Sequence, residues 1–166
     1  MVTDRAPLLT SRFLVVSAAT VCYFLGLNMT LSVLPLFVET DLGGTSTQVG
    51  LSVSSFGFAA AIVRPLIGPV GDRRGRRFLL MGGAIVAGLA LIATAFATTI
   101  PMVIGTRIVA GFGEAAVFVG AATAIQDLAP ADRRGEAASY FSLTIYGSLA
   151  LAPPLGEFVS ETWSTD

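Results

Sequence analysis

Charged residues divide the chain into long stretches that carry none. The charge-free windows are Phe13 to Val38, Leu42 to Val63 (interrupted at Arg64 and resuming to about Val70), Phe78 to Thr106, and Ala137 to Gly156. A helix needs roughly 20 apolar residues to cross the hydrocarbon core of a bilayer, and each window reaches that length. The region from 78 to 126 is too long for one crossing. "TTIP", Thr98 to Pro101, offers a turn within it, with Pro101 where a helix begins and a missing N–H costs nothing.

Parity fixes the number of crossings. Short arginine-rich loops remain on the cytoplasmic side, and two such clusters lie at 72–77 and 132–134. An even number of helices must separate them, so 78–126 holds two helices joined by the tight turn. The expected all-α fold has five transmembrane helices, at about 13–38, 49–70, 78–97, 101–126 and 137–160, within a single domain covering 1–166. The N-terminus, with Arg5 and Arg12, is expected inside, and the tail "ETWSTD" outside. The chain is thus expected to be a multi-pass protein of the inner (plasma) membrane. The cluster at 71–77 is expected to be a cytoplasmic loop. Of the arginines, only Arg107 stands against this topology, and Arg64 is expected to snorkel from the inner end of helix 2.

Composition agrees and removes several chemistries. Hydrophobic residues make up 54% of the chain and charged residues 13%, with a mean hydropathy of +0.78, which sets it apart from water-exposed globules. Every basic residue is arginine, and there is no histidine. Imidazole metal sites and histidine-based catalytic dyads or triads are therefore excluded, and no enzyme activity, cofactor or metal is expected. Cys22 is single, so no intramolecular disulfide can form. A net charge of −1 predicts no nucleic-acid partner. Small residues four apart, Gly83 with Ala87, Ala84 with Gly88, and Ala116 with Gly120, allow close helix packing in lipid.

The charge cluster carries more than topology. In "GPVGDRRGRR" an acid, Asp72, precedes Arg73, Arg74, Arg76 and Arg77, with Gly68, Gly71 and Gly75 spaced through the segment. Gly68 and Gly71 are expected to end helix 2 and to let neighbouring helices approach. The positions Gly68, Asp72, Arg73, Gly75, Arg76 and Arg77 resemble the signature of the major facilitator superfamily, G-x-x-x-D-R-x-G-R-R/K, between its second and third helices. "RIVAGFGEAA", Arg107 to Ala116, is similar to that family's helix-4 pattern. "APPLGE" resembles the helix-5 pattern of its exporters through Pro153 and Gly156, although Ala152 and Glu157 stand where two glycines are usual. The resemblance implies a secondary transporter working by alternating access, of the bacterial drug or metabolite exporter type. It also implies a charged latch at the cytoplasmic face that breaks and re-forms.

Arg107 and Glu114 lie seven residues apart in helix 4. Near two full turns, this places them on one face, roughly 10 Å apart along the axis. Ionisable groups in the bilayer interior normally face a cavity or a partner. Arg107, Glu114 and Asn28 of helix 1 are therefore candidate pathway residues, with Glu114 a candidate proton carrier. Alternatively, Arg107 and Glu114 form a structural pair bridged by water or by another helix, and Asn28 ties two helices together. Glu157 is expected near the outer end of helix 5. Asp72 is expected to be unsatisfied or paired locally, with Arg133 and Arg134 as candidate partners.

The family has two six-helix bundles with substrate between them, and five helices make only part of one. The chain is therefore expected to be a fragment of a transporter for a small-molecule substrate, coupled to protons. It would need a missing C-terminal half or another chain to transport. The alternative is a non-transporting membrane scaffold or partner subunit built on the same half-bundle.

Overall fold

The computed structural model describes the backbone of residues 7–163 and the side chains of residues 7–156. Five helices follow one another: α1 (Ser11–Leu36), α2 (Ser46–Arg74), α3 (Arg76–Ala95), α4 (Ile100–Leu128) and α5 (Arg134–Trp163). Among the described residues, α1 to α4 are long and apolar enough to cross a membrane. The 30-residue α5 carries no charge between Ala137 and Gly156. Exposed side chains such as Leu14, Val15, Phe58, Leu66, Leu89 and Leu143 give the bundle an apolar exterior, as a lipid solvent requires.

Local chemistry explains the helix ends. The Thr10 hydroxyl accepts from the Phe13 N–H at 3.3 Å and caps α1. After α1 the chain widens into a π-type turn, Phe37–Asp41. Gly43 then takes φ +63°, and the Gly44 N–H donates to the Val38 carbonyl at 2.8 Å. Thr45 and Gln48 form a reciprocal capping box that starts α2. Pro101 lies at the first turn of α4, as the sequence leads one to expect.

The segment between α2 and α3 departs from expectation. Residues 71–77 do not form a loop: α2 continues through Gly68 and Gly71 to Arg74, and α3 begins at Arg76. The arginines favour helix as readily as any long unbranched side chain. The chain breaks at Gly75 alone, where φ is +87°, a conformation that favours glycine. Gly68 does not admit a neighbouring helix either, since nothing would lie within 4 Å of a Cβ there. Gly71 does, because a Cβ would meet Leu79 Cδ1 at 2.6 Å.

Helix α4 is the axis of the bundle. It packs extensively against both α2 and α3, while α1 packs chiefly against α5. Of the small-residue pairs, Gly83 and Ala87 are buried against α4, with Ala116 and Gly120 on the opposing side. Gly88 faces open space instead. The approach is closest at Gly113, where a Cβ would lie 2.5 Å from the Ala87 nitrogen, and at Gly111, where it would lie 2.5 Å from the Phe56 carbonyl oxygen. Two apolar clusters hold the ends. One joins Leu8, Phe13, Ala121, Ile125, Ala137 and Phe141, and the other joins Leu34, Val38, Ala97 and Val103.

Because backbone, not a flexible side chain, blocks the site, Gly113→Ala should force α3 and α4 apart and cost about 1–3 kcal/mol. Gly88→Ala, with free space around it, should leave stability unchanged or slightly raised. Thermal unfolding of both variants in lipid nanodiscs checks the contrast.

Candidate functional site

Two groups of charges stand out, one inside the bundle and one at its end. The inner group lies along the interface of α2 and α4. Arg107 is 2% exposed, and its guanidinium lies 4.7 Å from the Phe56 ring centroid. Gly111 follows, with Ala59 and Ala60 against it. At Glu114, Arg64 Nη2 donates to Oε1 at 2.8 Å. Contacts that advance in the same sense along both helices mean that α2 and α4 run parallel. Arg107 and Glu114 thus share the face of α4 that meets α2, as their spacing implies.

Their partners differ from expectation. Arg64 does not simply snorkel toward an interface: it turns inward and pairs with Glu114, with its guanidinium 3.9 Å from the Phe118 ring centroid. Glu114 needed a cation once buried, and the facing helix supplies one a turn further along than Ala60. Arg107 has no carboxylate partner among the described residues, and its Nε is buried without a hydrogen bond. It therefore does not pair with Glu114. It also borders a cavity of about 610 Å³ lined by Met29, Thr30, Val33 and Leu34 of α1, Leu91 and Thr94 of α3, and Gly156 of α5. Asn28 is half-buried on α1 and does not line this cavity.

Gly156 is buried against α1, where a Cβ would lie 3.7 Å from Ser32 Cβ. Pro153 is exposed within α5. The side chain of Glu157, and Arg5, lie outside the described residues.

The outer group is a three-helix ion cluster. Arg76, opening α3, donates from Nη1 to Asp72 Oδ1 at 2.7 Å and from Nε to Asp127 Oδ2 at 3.1 Å. One guanidinium thus ties the end of α2 to the end of α4. Asp72 is paired locally, one of the two expected outcomes, but its partner is Arg76 and not Arg133 or Arg134. Its neighbour one helical turn ahead reaches it first, and Arg133 forms a fork with Glu136 at 2.7 and 2.8 Å. Arg74 lies over Phe78 at 5.2 Å, and Arg77 Nε donates to Met81 Sδ at 3.4 Å. Arg73 is exposed. The cluster also shows that the arginine-bearing segments at 73–77 and 133–134 sit at one end of the bundle, as parity requires.

Sequence reasoning missed Asp127 and assigned Arg64 to the interface. Asp127 had one available signal, an acid at the end of an apolar span on the side of the arginines. Comparison with known proteins now decides the family, because the sequence profile of the Major Facilitator Superfamily matches residues 16–166. The chain belongs to the Major Facilitator Superfamily. It is 27% identical over 138 residues to quinolone resistance protein NorA of Staphylococcus aureus, covering 83% of this chain and 35% of that protein. It is 31% identical over 154 residues to an uncharacterized MFS-type transporter of Burkholderia mallei (strain SAVP1), covering 88% of this chain and 38% of that protein. The chain therefore spans little more than a third of the length of these curated relatives. The Major Facilitator Superfamily is a family of multi-pass membrane transporters, not of enzymes.

The two charge groups should respond differently to substitution. Arg64→Ala leaves Glu114 buried and unpaired. Breaking a fully buried pair costs 3–5 kcal/mol, and with Arg64 partly open to solvent the expected loss is about 1–3 kcal/mol. Arg64→Ala with Glu114→Ala together should cost less than Arg64→Ala alone, as a double-mutant cycle by denaturation in mixed micelles would show. At the exposed cluster, Asp127→Asn should cost under ~1 kcal/mol, and that small effect should vanish as salt is raised. Melting temperatures across a salt series check this.

Proposed function

We propose that the chain forms the N-terminal bundle of a secondary active transporter that moves a small molecule across the plasma membrane by alternating access, driven by protons. The observation that carries this reading is the burial of Arg107 and Glu114 between membrane-spanning helices, with Arg64 half-buried against Glu114. Such groups are costly in lipid and serve substrate or ion pathways. Glu114 is the proton carrier, Arg107 sets the electrostatic field of the pathway, and Asn28 is a polar contact on the α1 side.

The Asp72–Arg76–Asp127 cluster, carrying the signature residues Gly68, Arg73, Gly75 and Arg77 around it, is the cytoplasmic gate. Its solvent exposure keeps each ion pair weak. Weak pairs at the junction of three helix ends break and re-form readily, as a two-state gate requires. The similarity to a quinolone resistance protein supports an exporter of small organic molecules. The helix-5 residues Pro153 and Gly156 fit the same reading, with Gly156 buried where α5 lies against α1. The N-terminus is cytoplasmic and the end of α5 extracytoplasmic. Transport needs a second bundle against which this one rocks, supplied by a continuation of the chain or by another chain, and the short span relative to its relatives supports this.

In the full two-bundle transporter reconstituted in proteoliposomes, Glu114→Gln should abolish flux driven by a pH gradient while leaving the protein folded. Flux equal to that of the unaltered transporter would remove Glu114 from the mechanism.

A further inference from the structure

The outer corner where α2 meets α3 carries cations that no carboxylate answers. Arg76 takes both Asp72 and Asp127. Arg74 and Arg77 have no carboxylate partner among the described residues. Both lie on the first turns of α3 instead. The Arg74 guanidinium stands over the ring of Phe78, and Arg77 Nε donates to the sulfur of Met81, a weak acceptor. Phe78 is 48% and Met81 52% exposed. On a membrane-spanning helix an exposed apolar face is covered by lipid. Two guanidiniums thus lie against lipid-facing side chains with most of their N–H donors unspent.

The same face continues along α3 as an apolar ridge. Met81, Ile85, Leu89 and Ile92 follow at three- and four-residue intervals, and each is more than half exposed. The buried residues of α3, Leu79, Gly83, Ala87 and Ala90, occupy the opposite side. From Met81 to Ile92 the ridge is roughly 16 Å long, close to the ~15 Å hydrocarbon depth of one leaflet. A ridge of that length with paired guanidiniums at its head fits a molecule with an anionic head and an apolar tail. The corner also holds four arginines, Arg73, Arg74, Arg76 and Arg77, against the two carboxylates. A phosphodiester alone is therefore attracted more strongly than one that brings its own ammonium group.

We propose that the outer face of α3 is a binding site for an anionic phospholipid, with its phosphate on Arg74 and Arg77 and an acyl chain along Met81, Ile85, Leu89 and Ile92. The planar guanidiniums offer parallel N–H donors that match phosphate oxygens, and the Phe78 ring holds Arg74 in place. Arg74 makes the site particular to this chain, since it fills an unspecified position of the signature G-x-x-x-D-R-x-G-R-R/K. The site lies on the exterior of the bundle, away from Arg107 and the Arg64–Glu114 pair, and does not rest on the transport reading.

The test uses the full chain in detergent micelles, titrated with phosphatidylglycerol or with phosphatidylcholine of the same acyl chains, and native mass spectrometry reads the bound lipid. The unaltered chain should bind phosphatidylglycerol in preference to phosphatidylcholine. Arg74→Gln and Arg77→Gln should each weaken phosphatidylglycerol binding about fivefold, and both together should abolish the preference. Both positions are exposed, so the variants should fold, and their melting temperatures verify it. Arg12→Gln removes an exposed arginine from α1 and should leave binding unchanged. Glycerophosphoglycerol, the same head without acyl chains, should not displace the lipid even in large excess. Four results would each overturn the proposal: equal binding of the two lipids, binding indifferent to both Arg74 and Arg77, a loss in Arg12→Gln as large as that in Arg74→Gln, or displacement by glycerophosphoglycerol, which would assign the corner to a soluble phosphate ester.

Discussion

The backbone of α4 is in direct contact with two neighbours at once, and this constraint governs the rest of the bundle. Gly111 admits the backbone of α2 and Gly113 that of α3, each to a distance no side chain tolerates. In lipid there is little hydrophobic force to press helices together, so dispersion and close backbone packing hold them. The glycines fix the register of α2 against α4 within a fraction of a turn. That register sets Phe56 opposite Arg107 and Arg64 opposite Glu114.

From this register the electrostatics follow. Glu114 is tolerated in the interior because α2 presents a guanidinium at its level. Arg107 has the face of an aromatic ring and a neighbouring cavity, without a carboxylate among the described residues. The same parallel packing brings the ends of α2 and α4 to one end of the bundle, where Arg76 bridges Asp72 and Asp127. A rigid, close-packed axis therefore joins an interior ion pair to a weak exposed one. Sliding or tilting α2 against α4 would disturb both.

Much of the fold was legible in the sequence because lipid makes few demands and makes them plainly. Windows without charge mark the helices, and the arginine clusters mark one end of the bundle. The extent of α2 was not legible, since Arg73 and Arg74 suit a helix end as well as a loop, and only the positive φ of Gly75 marks the break. The seven-residue spacing of Arg107 and Glu114 revealed their common face. Their partners could not be read, because a spacing within one helix carries no information on the register of the next. Arg64 shows this directly: its position near the end of an apolar span suggests snorkelling, and only the glycine-set register turns it toward Glu114. Asp72 shows the reverse, where Arg76, four residues ahead in the chain, takes the place of the more distant Arg133 and Arg134.

The parallel register of α2 on α4, which sets Arg64 opposite Glu114, is most directly tested by a charge swap. Arg64→Glu alone places two carboxylates at one level of the bundle and should lower the melting temperature in nanodiscs. Adding Glu114→Arg, which restores an opposite-charge pair at that level, should recover most of the loss. A doubly substituted chain as unstable as the two single changes combined would contradict the register, and with it the pairing of Arg64 with Glu114.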